Sequence, residues 1–284
     1  MLEPVAGPYP HWCFTAASGD QLLVVPERGG LVTGWKADGL ERLYFDHARF
    51  ADPAKSVRGG IPVLFPICGN LPGDRLELPQ GGFPMAQHGF ARDLPWQLQA
   101  LEDGSGLELS LGQSEATLAH YPFPFALRLR YQLEPSTLAI TAEVEQLASG
   151  TVAMPFSLGL HPYFSVSALE NTVVEGLPNA CFNHLTMAAA STAEQLQQLG
   201  EGIDLLAGPA AAVRLIDHGR GSAVELDLQA PLELAVVWTD PPRPMVCLEP
   251  WTAPRGALAS GDRCLWLQPG ERQQLRCRYR LLQA

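Results

Sequence analysis

Apolar and polar residues alternate with a period of two along most of this chain, which is the pattern of β-strands that bury one face. The clearest case is two such runs, residues 125–133 and 138–145, joined by the turn Glu134-Pro-Ser-Thr137. We predict a long antiparallel pair there, with one buried and one polar face. Other strands are predicted at residues 21–25, 106–111, 213–216, 223–228, 232–238, 245–248, 264–267 and 274–281.

Turn signals separate these runs, and helical patterns are scarce. The pair Asp38-Gly39 lies between apolar runs at residues 31–35 and 43–45, and Asp-Gly is a strong hairpin signal. The best helix candidate, residues 191–199, has only about nine residues and is marginal without tertiary packing. No linker or shift of composition divides the chain. These features predict an all-β protein, with one large antiparallel β-sandwich domain over residues 1–284.

The composition limits the classes of partner. The formal net charge of -11 makes nucleic acid a poor partner, because an acidic surface repels phosphate backbones. No run reaches the ~18 apolar residues of a membrane span, and the N-terminal segment lacks the basic and apolar regions of a signal peptide. None of the six cysteines forms a Cys-x-x-Cys pair. We therefore expect reduced thiols in a reducing cytoplasm, no metal site and no membrane partner.

Four stretches interrupt the alternation and are rich in Gly, Pro, His and Arg. They are Arg58-Gly-Gly-Ile-Pro-Val-Leu-Phe-Pro-Ile-Cys-Gly-Asn-Leu71, Gln87-His-Gly-Phe-Ala-Arg-Asp93, Leu160-His-Pro-Tyr-Phe164 and Cys247-Leu-Glu-Pro-Trp-Thr-Ala-Pro254. A sandwich fold says nothing specific about function, so the candidate chemistry has to come from such departures. All four break the local pattern without an obvious gain in folding, which favours a functional role for them as a group.

His161 and Glu249 are the candidate acid and base. His161 precedes a proline, which favours an extended backbone, and an imidazole at a strand end can donate a proton near neutral pH. The alternative is a core histidine bonded to a backbone carbonyl. Glu249 ends an apolar run, where a carboxylate is costly to bury unless it is paired or functional. Burial would raise its pKa towards that of a general base. The alternative is a structural ion pair, with Arg255 as the candidate partner.

Four other residues of these stretches are candidates for ligand binding. His88 and Arg92 lie on either side of Gly89, which permits a close backbone approach, and Arg58 precedes two glycines. A guanidinium beside exposed backbone is a good hydrogen-bond donor to hydroxyls, carboxylate or phosphate. The alternative for each arginine is a surface or structural ion pair. Trp251 offers a flat apolar face of the kind that stacks on sugar rings.

Taken in order, the four stretches resemble the aldose 1-epimerase family, which includes galactose mutarotase and the hexose-6-phosphate mutarotases. The blocks His-Gly-Phe-Ala-Arg and His-Pro-Tyr-Phe are the most specific, and the resemblance covers nearly the whole chain. It implies a large antiparallel β-supersandwich with a sugar cleft on its concave face. It also implies that His161 is the general acid, that Glu249 is the general base, and that His88 holds the sugar near its ring oxygen. Arg92 closes the same block.

The chain also departs from the family pattern. Free-sugar members usually carry an arginine after the glycine of the first block, where this chain has Asn70. Arg58-Gly-Gly-Ile-Pro is more similar to the phosphosugar branch, whose arginines bind the phosphate. The block Glu249-Pro-Trp-Thr-Ala-Pro is more similar to the aldose 1-epimerase-related branch. The family binds sugar hydroxyls with an aspartate from a middle segment, for which Asp204 and Asp240 are both candidates.

The implied reaction interconverts the α and β anomers of a hexose by ring opening and closure. Glu249 would take the proton of the C1 hydroxyl while His161, as imidazolium, protonates the ring oxygen, and the roles reverse on closure. This chemistry needs no cofactor, and the sequence has no glycine-rich nucleotide fingerprint. The expected partner is a small sugar or sugar phosphate, bound by a monomer or weak dimer.

Three alternatives fit parts of the pattern. A glucose-6-phosphate 1-epimerase is favoured by Arg58 and Arg92. A carbohydrate-binding protein would keep the cleft without the chemistry. A glycoside hydrolase needs two carboxylates flanking one bond, and Glu249 has no equally convincing acidic partner in the sequence.

Overall fold

The structure is a computed structural model that describes residues 1–283. The strands, in chain order, are β1 (Leu2–Val5), β2 (His11–Thr15), β3 (Gln21–Val25), β4 (Leu31–Ala37), β5 (Leu40–Glu41), β6 (Val63–Leu64), β7 (Arg75–Leu78), β8 (Gly81–Pro84), β9 (Gln97–Ala100), β10 (Gly106–Gly112), β11 (Phe125–Glu134), β12 (Thr137–Gln146), β13 (Met154–Phe156), β14 (Gly159–Leu160), β15 (Tyr163–Ser165), β16 (Thr172–Glu175), β17 (Ala180–Asn183), β18 (Ala188–Ser191), β19 (Asp204–Ala207), β20 (Val213–Asp217), β21 (Ser222–Gln229), β22 (Leu234–Trp238), β23 (Met245–Trp251), β24 (Leu265–Leu267) and β25 (Arg272–Gln283).

Helices are few and short. They are α1 (His47–Phe50), α2 (Glu115–Leu118), α3 (Thr192–Leu196) and α4 (Ala257–Ser260), with 3-10 turns at Pro72–Asp74, Ala91–Asp93 and Leu169–Asn171. Within the described residues, no helix has the length and apolar character needed to cross a membrane.

Two eight-stranded antiparallel sheets make up most of the fold. The first, which we call the long sheet, has the order β16-β20-β21-β25-β12-β11-β10-β9. The second, which we call the site sheet, has the order β18-β17-β19-β22-β23-β14-β6, and β15 pairs with β23 beside β14. A five-stranded sheet, β1-β2-β3-β4-β5, and the pairs β13-β24 and β7-β8 complete the architecture. The predicted all-β class is confirmed.

The two large sheets share one hydrophobic core. Side chains such as Leu129 of the long sheet and Val246 and Leu248 of β23 belong to the same buried cluster. The Tyr279 hydroxyl of β25 donates a hydrogen bond of 2.9 Å to the Leu248 carbonyl, which ties the sheets together. Because side chains alternate along a strand, Glu249 and its neighbours at two-residue spacing on β23 face away from this core.

Most predicted strands are confirmed, and the differences are local. The predicted pair at residues 125–133 and 138–145 is β11 and β12, in register from Phe125 opposite Gln146 to Glu134 opposite Thr137. Residues 43–45 make isolated bridges instead of a strand. The predicted helix at residues 191–199 is reduced to α3, which begins where the Ser191 side chain accepts a hydrogen bond from the Glu194 backbone.

One difference matters for function. The strand predicted at residues 245–248 continues to Trp251, because Leu234 of β22 and Gly159 of β14 both pair with that residue. Glu249 therefore lies inside a central strand and not at its end. Glu249 pairs with Val236 of β22, and pairing on the other side of the strand involves residues 247 and 251, so the backbone at Glu249 is fixed in position.

Candidate active site

A cavity of about 290 Å³ opens on the face of the site sheet that points away from the core. Seven of the residues predicted for the site line it: Arg58, His88, Arg92, His161, Asp204, Glu249 and Trp251. They come from all four irregular stretches and from β19, so the fold brings together groups that are far apart in sequence.

The strand register places His161 beside Glu249. Gly159 of β14 lies opposite Trp251, and Tyr163 of β15 lies opposite Cys247, so His161 falls midway between them, level with Glu249. The His161 amide also donates a hydrogen bond of 2.9 Å to the Pro62 carbonyl. The backbone thus sets the acid and base candidates side by side on the cavity floor.

The two side chains are in direct contact. His161 Nε2 lies 3.3 Å from Glu249 Oε1, and Glu249 is 1% exposed. The Trp251 indole N–H donates a hydrogen bond of 3.0 Å to the other carboxyl oxygen, Oε2. The His161 ring stacks on Tyr163 at a centroid distance of 4.8 Å. Both partners are therefore held in one geometry by their neighbours.

Burial shifts the proton of this pair onto Glu249. Burial, and secondly the Asp204 carboxylate, hold the Glu249 pKa well above its usual value of 4.5. Burial, and secondly the Arg92 guanidinium, lower the His161 pKa to about 3. Both shifts favour a neutral His161 imidazole over the predicted imidazolium. A neutral carboxyl beside a neutral imidazole holds the same number of protons as a carboxylate beside an imidazolium, so one transferable proton is still present.

This arrangement gives an expected pH profile. If this pair carries out the anomer exchange implied by the sequence, it must hold one proton. Because the His161 pKa is about 3, kcat/KM should then stay level as the pH is lowered through 4.5, the usual pKa of a glutamate, to pH 4. It should fall only at higher pH, as the pH rises through the raised Glu249 pKa and the shared proton is lost. The measurement is the anomer-exchange rate from pH 4 to 9 with the uncatalysed rate subtracted. A fall in kcat/KM as the pH drops through 4.5 would indicate a base with an ordinary carboxyl pKa and contradict the shifted pair.

His88 lies beside the pair as a neutral donor. Its Nδ1 accepts a hydrogen bond of 3.1 Å from the Gly69 amide, so the ring proton is on Nε2. Burial, and secondly His161, hold the His88 pKa well below 6.5. His88 has a left-handed backbone with φ of 67°, which is unusual for a residue with a side chain and typical of functional sites. Its ring centroid is 5.9 Å from that of His161.

Two arginines add positive charge to the cavity wall. The Arg92 Nη2 donates a hydrogen bond of 2.8 Å to the Gln87 carbonyl, and its nearest carboxylate is the exposed Asp93 at 3.9 Å. Arg58 lies over the Trp238 ring at 5.6 Å and reaches Asp240 at 3.3 Å. Arg92 is the less neutralised of the two, which makes it the stronger candidate for holding an anion.

The two aspartates left open by the sequence lie in different surroundings. Asp240 forms ion pairs with Arg58 at 3.3 Å and Arg243 at 2.7 Å, so it holds the wall in place. Asp204 lines the cavity itself and receives hydrogen bonds from His184 at 2.7 Å and Arg255 at 2.8 Å. Arg255, the possible partner of Glu249 in the sequence, thus pairs with Asp204.

One group of side chains has the donor types of a metal site. The ligand atoms of His161, Cys247 and Glu249 lie within 4.8 Å of one another. Burial, and secondly Glu249, hold the Cys247 pKa well above its usual value of 9.0. Metal binding would require the thiol and the carboxyl to lose their protons, and burial opposes that loss.

Comparison with known proteins identifies the family. The family model for aldose 1-epimerase matches residues 13–280. The chain belongs to the aldose 1-epimerase family. It is therefore an isomerase of the mutarotase type, as the sequence indicated.

Individual relatives agree with this assignment. A crystal structure of a protein from Synechocystis sp. PCC 6803 is 35% identical, with a TM-score of 0.89, and the match covers 100% of this chain and 96% of that one. A Cenchrus ciliaris protein named "Putative glucose-6-phosphate 1-epimerase" is 28% identical over 277 residues, covering 86% of this chain and 76% of the relative. A Salmonella typhimurium protein of the same name is 34% identical over 154 residues, covering 53% of this chain and 47% of the relative.

Two residues predicted for this epimerase-family site lie differently from expectation. Asn70 is exposed and lines a neighbouring depression, where its side-chain oxygen is 3.5 Å from Arg255. It does not line the cavity of His161 and Glu249, because the chain turns away at Gly69. Trp251 borders the cavity but is only 1% exposed. Its indole therefore supports Glu249 and does not offer a free stacking face.

Other residues of the site were not predicted. Trp238 provides an aromatic wall, and its sequence context is an ordinary alternating strand. His184 follows β17 and reaches the site through Asp204, so nothing in its neighbours distinguishes it. Tyr163, which supports the His161 ring, belongs to the recognised His-Pro-Tyr-Phe block and could have been identified from it.

Proposed function

We propose that this aldose 1-epimerase acts on an aldohexose through the His161–Glu249 pair. The observation that supports it is the 3.3 Å contact between His161 Nε2 and Glu249 Oε1 on the cavity floor. Anomer exchange moves a proton off the C1 hydroxyl and another onto the ring oxygen. Those two oxygens are bonded to the same carbon, so the acid and the base must be close neighbours.

The catalytic cycle follows from that geometry. When the sugar oxygens take their places at the pair, the shared proton passes to His161, and Glu249 becomes the carboxylate that accepts the C1 hydroxyl proton. His161 then protonates the ring oxygen, and the C1–O5 bond breaks to give the open-chain aldehyde. Rotation about C1–C2 presents the other face of the carbonyl. The same transfers in reverse close the ring as the opposite anomer and restore the proton count.

The strand order supports one orientation of the sugar. In the site sheet, β19 with Asp204 lies on one side of β23 with Glu249, and β14, leading to His161, lies on the other. A sugar whose ring oxygen faces His161 therefore directs C2 and C3 towards Asp204. His88, beside His161, would donate its Nε2 proton near the ring oxygen. In that orientation the C6 substituent would lie on the side of His88 and Arg92.

A hexose 6-phosphate is the second candidate substrate, and Arg92 favours it. The carboxylate nearest to the Arg92 guanidinium is that of the exposed Asp93 at 3.9 Å, and Arg58 lines the same cavity. Two guanidiniums on the C6 side suit a phosphate, which accepts several charge-assisted hydrogen bonds. The names of the relatives from Cenchrus ciliaris and Salmonella typhimurium support the same substrate class.

Replacing Arg92 distinguishes the two substrates. If the phosphosugar is the substrate, Arg92→Met should raise the KM for glucose 6-phosphate roughly 10- to 100-fold, because a hydrogen bond to a charged group is lost. The effect on glucose should be much smaller. The measurement is anomer exchange by NMR with glucose, galactose and glucose 6-phosphate, in a buffer without phosphate.

The control is Arg128→Met, which changes an arginine on the long sheet that pairs with Glu143 and Glu145. Added salt should weaken the phosphosugar interaction and leave glucose unaffected. Equal losses with glucose and glucose 6-phosphate in the Arg92 variant would contradict a phosphate role for this residue. Binding of the sugars without faster exchange would instead favour a non-catalytic carbohydrate-binding protein.

A further inference from the structure

His184 has an arrangement that packing alone does not explain. The side chain is 1% exposed, and its Nδ1 lies 2.7 Å from Asp204 Oδ1. Because a carboxylate only accepts hydrogen bonds, Nδ1 carries the proton and donates it. The backbone reinforces this contact, since the His184 amide donates a hydrogen bond of 2.8 Å to the Asp204 carbonyl.

Arg255 holds the same carboxylate from the other side. Its Nη2 donates to Asp204 Oδ2 at 2.8 Å, and its side-chain carbons lie directly over Gly69. A Cβ on Gly69 would be 2.2 Å from Arg255 Cγ, so only glycine leaves room for this arginine. Each oxygen of Asp204 thus has one fixed donor, and each retains accepting capacity towards the cavity that Asp204 lines.

We propose that His184 is a positioning residue which, with Arg255, fixes the Asp204 carboxylate so that it selects sugars by the hydroxyl at C2 or C3. This inference rests on the sugar orientation given under the proposed function. A carboxylate with two fixed donors cannot rotate to follow a differently placed hydroxyl. Without the His184 N–H, the Asp204 carboxylate can rotate. The difference in binding free energy between a sugar that has the hydroxyl and one that lacks it then decreases.

The His184 ring also makes a structural contact, whose effect has to be distinguished from that of the N–H donor. It stacks on Trp251 at a centroid distance of 5.9 Å and an interplanar angle of 25°. Two substitutions separate the roles. His184→Phe keeps an aromatic ring against Trp251 and removes the donor. His184→Asn removes the ring and keeps an N–H at the position of Nδ1.

The test is the dissociation constant of glucose and of its 2-deoxy and 3-deoxy analogues, measured by titration calorimetry. The 6-phosphates of the three sugars are used if glucose 6-phosphate binds more tightly. The wild type should prefer the parent sugar to one analogue by roughly 10- to 100-fold, the effect of one hydrogen bond to a charged group. His184→Phe and Asp204→Asn should both lose that preference, and combining them should add nothing further. His184→Asn should retain it.

The controls are His218→Phe and His218→Asn, the same changes at an exposed histidine between β20 and β21. If His184→Phe does not fold, Arg255→Met provides the same test by removing the other donor. The inference is overturned if His184→Phe keeps the preference, if His184→Asn loses it while folded, or if the wild type binds the three sugars equally. Binding selectivity without faster anomer exchange would instead overturn the proposed catalytic function, so the two failures are distinguishable.

Discussion

Replacing Glu249 by Gln, or His161 by Asn, should reduce the catalysed anomer exchange by ~10²–10⁴-fold or more while leaving the protein folded. Glu249→Gln keeps the shape of the side chain, His161→Asn is smaller, and each removes one end of the proton transfer. Gln cannot accept the C1 proton, and Asn cannot pass a proton to the ring oxygen. Because both residues serve the same transfer, the double variant should be hardly worse than either single variant. The measurement is the exchange rate at saturating sugar, with the uncatalysed rate subtracted.

A matched control comes from the long sheet. Glu225 is also buried, but it forms ion pairs with Arg214 at 2.7 Å and Arg280 at 3.2 Å, far from the cavity in the fold. Glu225→Gln should cost some stability and keep the exchange rate. Near-normal turnover in purified Glu249→Gln would remove Glu249 from the mechanism, and the same result for His161→Asn would remove His161.

The second large effect is on folding. Gly89→Ala should lower the free energy of unfolding by about 3 kcal/mol or more, since overpacking and backbone strain each cost about 1–3 kcal/mol. Gly89 has φ of 71°, and a Cβ there would be 2.1 Å from the Phe65 carbonyl oxygen. That oxygen already accepts the amides of Phe90 and Ala91, so it cannot move without breaking the segment that carries His88. A fall in melting temperature of roughly 6–12 °C should accompany the change.

Gly104 provides a control of equal backbone conformation. Its φ is 70°, and nothing lies within 4 Å of a Cβ built there. Gly104→Ala should therefore cost only the left-handed backbone penalty of about 1–2 kcal/mol. Equal losses of unfolding free energy in the two variants would show that the close contact with Phe65 is not the reason for glycine at position 89.

The sequence predicts the strands well because their period of two has a direct physical cause. Along β11, every second residue from Phe125 to Leu133 is buried, and the same residues alternate in the sequence. The extension of β23 through Glu249 and Pro250 could not be predicted. In the sequence, a carboxylate followed by a proline indicates the end of a strand. Only pairing with β22 and β14 makes the longer strand favourable.

Site residues could be predicted from the sequence only where they lie in an unusual local pattern. His161, Glu249, His88 and Arg92 belong to stretches that break the alternation. His184 was not predictable, because its importance comes from a contact with a residue 20 positions away. The choice between Asp204 and Asp240 likewise required knowing which of them faces the cavity.

Protonation was the least predictable property. The sequence indicated that burial would raise the Glu249 pKa, and this direction is confirmed. It did not indicate that burial and Arg92 would lower the His161 pKa to about 3. That shift depends on how completely the ring is enclosed and on which guanidinium lies near it, and both are properties of the assembled site.

The central claim is that this chain catalyses anomer exchange of an aldohexose. The most direct measurement is NMR exchange spectroscopy on equilibrated glucose and glucose 6-phosphate with the purified wild-type protein, in a buffer without phosphate. We expect exchange cross-peaks between the α and β anomeric protons of at least one sugar, growing with protein concentration and absent with Glu249→Gln. If neither sugar, nor galactose tested in the same way, exchanged faster than in buffer alone, the proposed function would be contradicted.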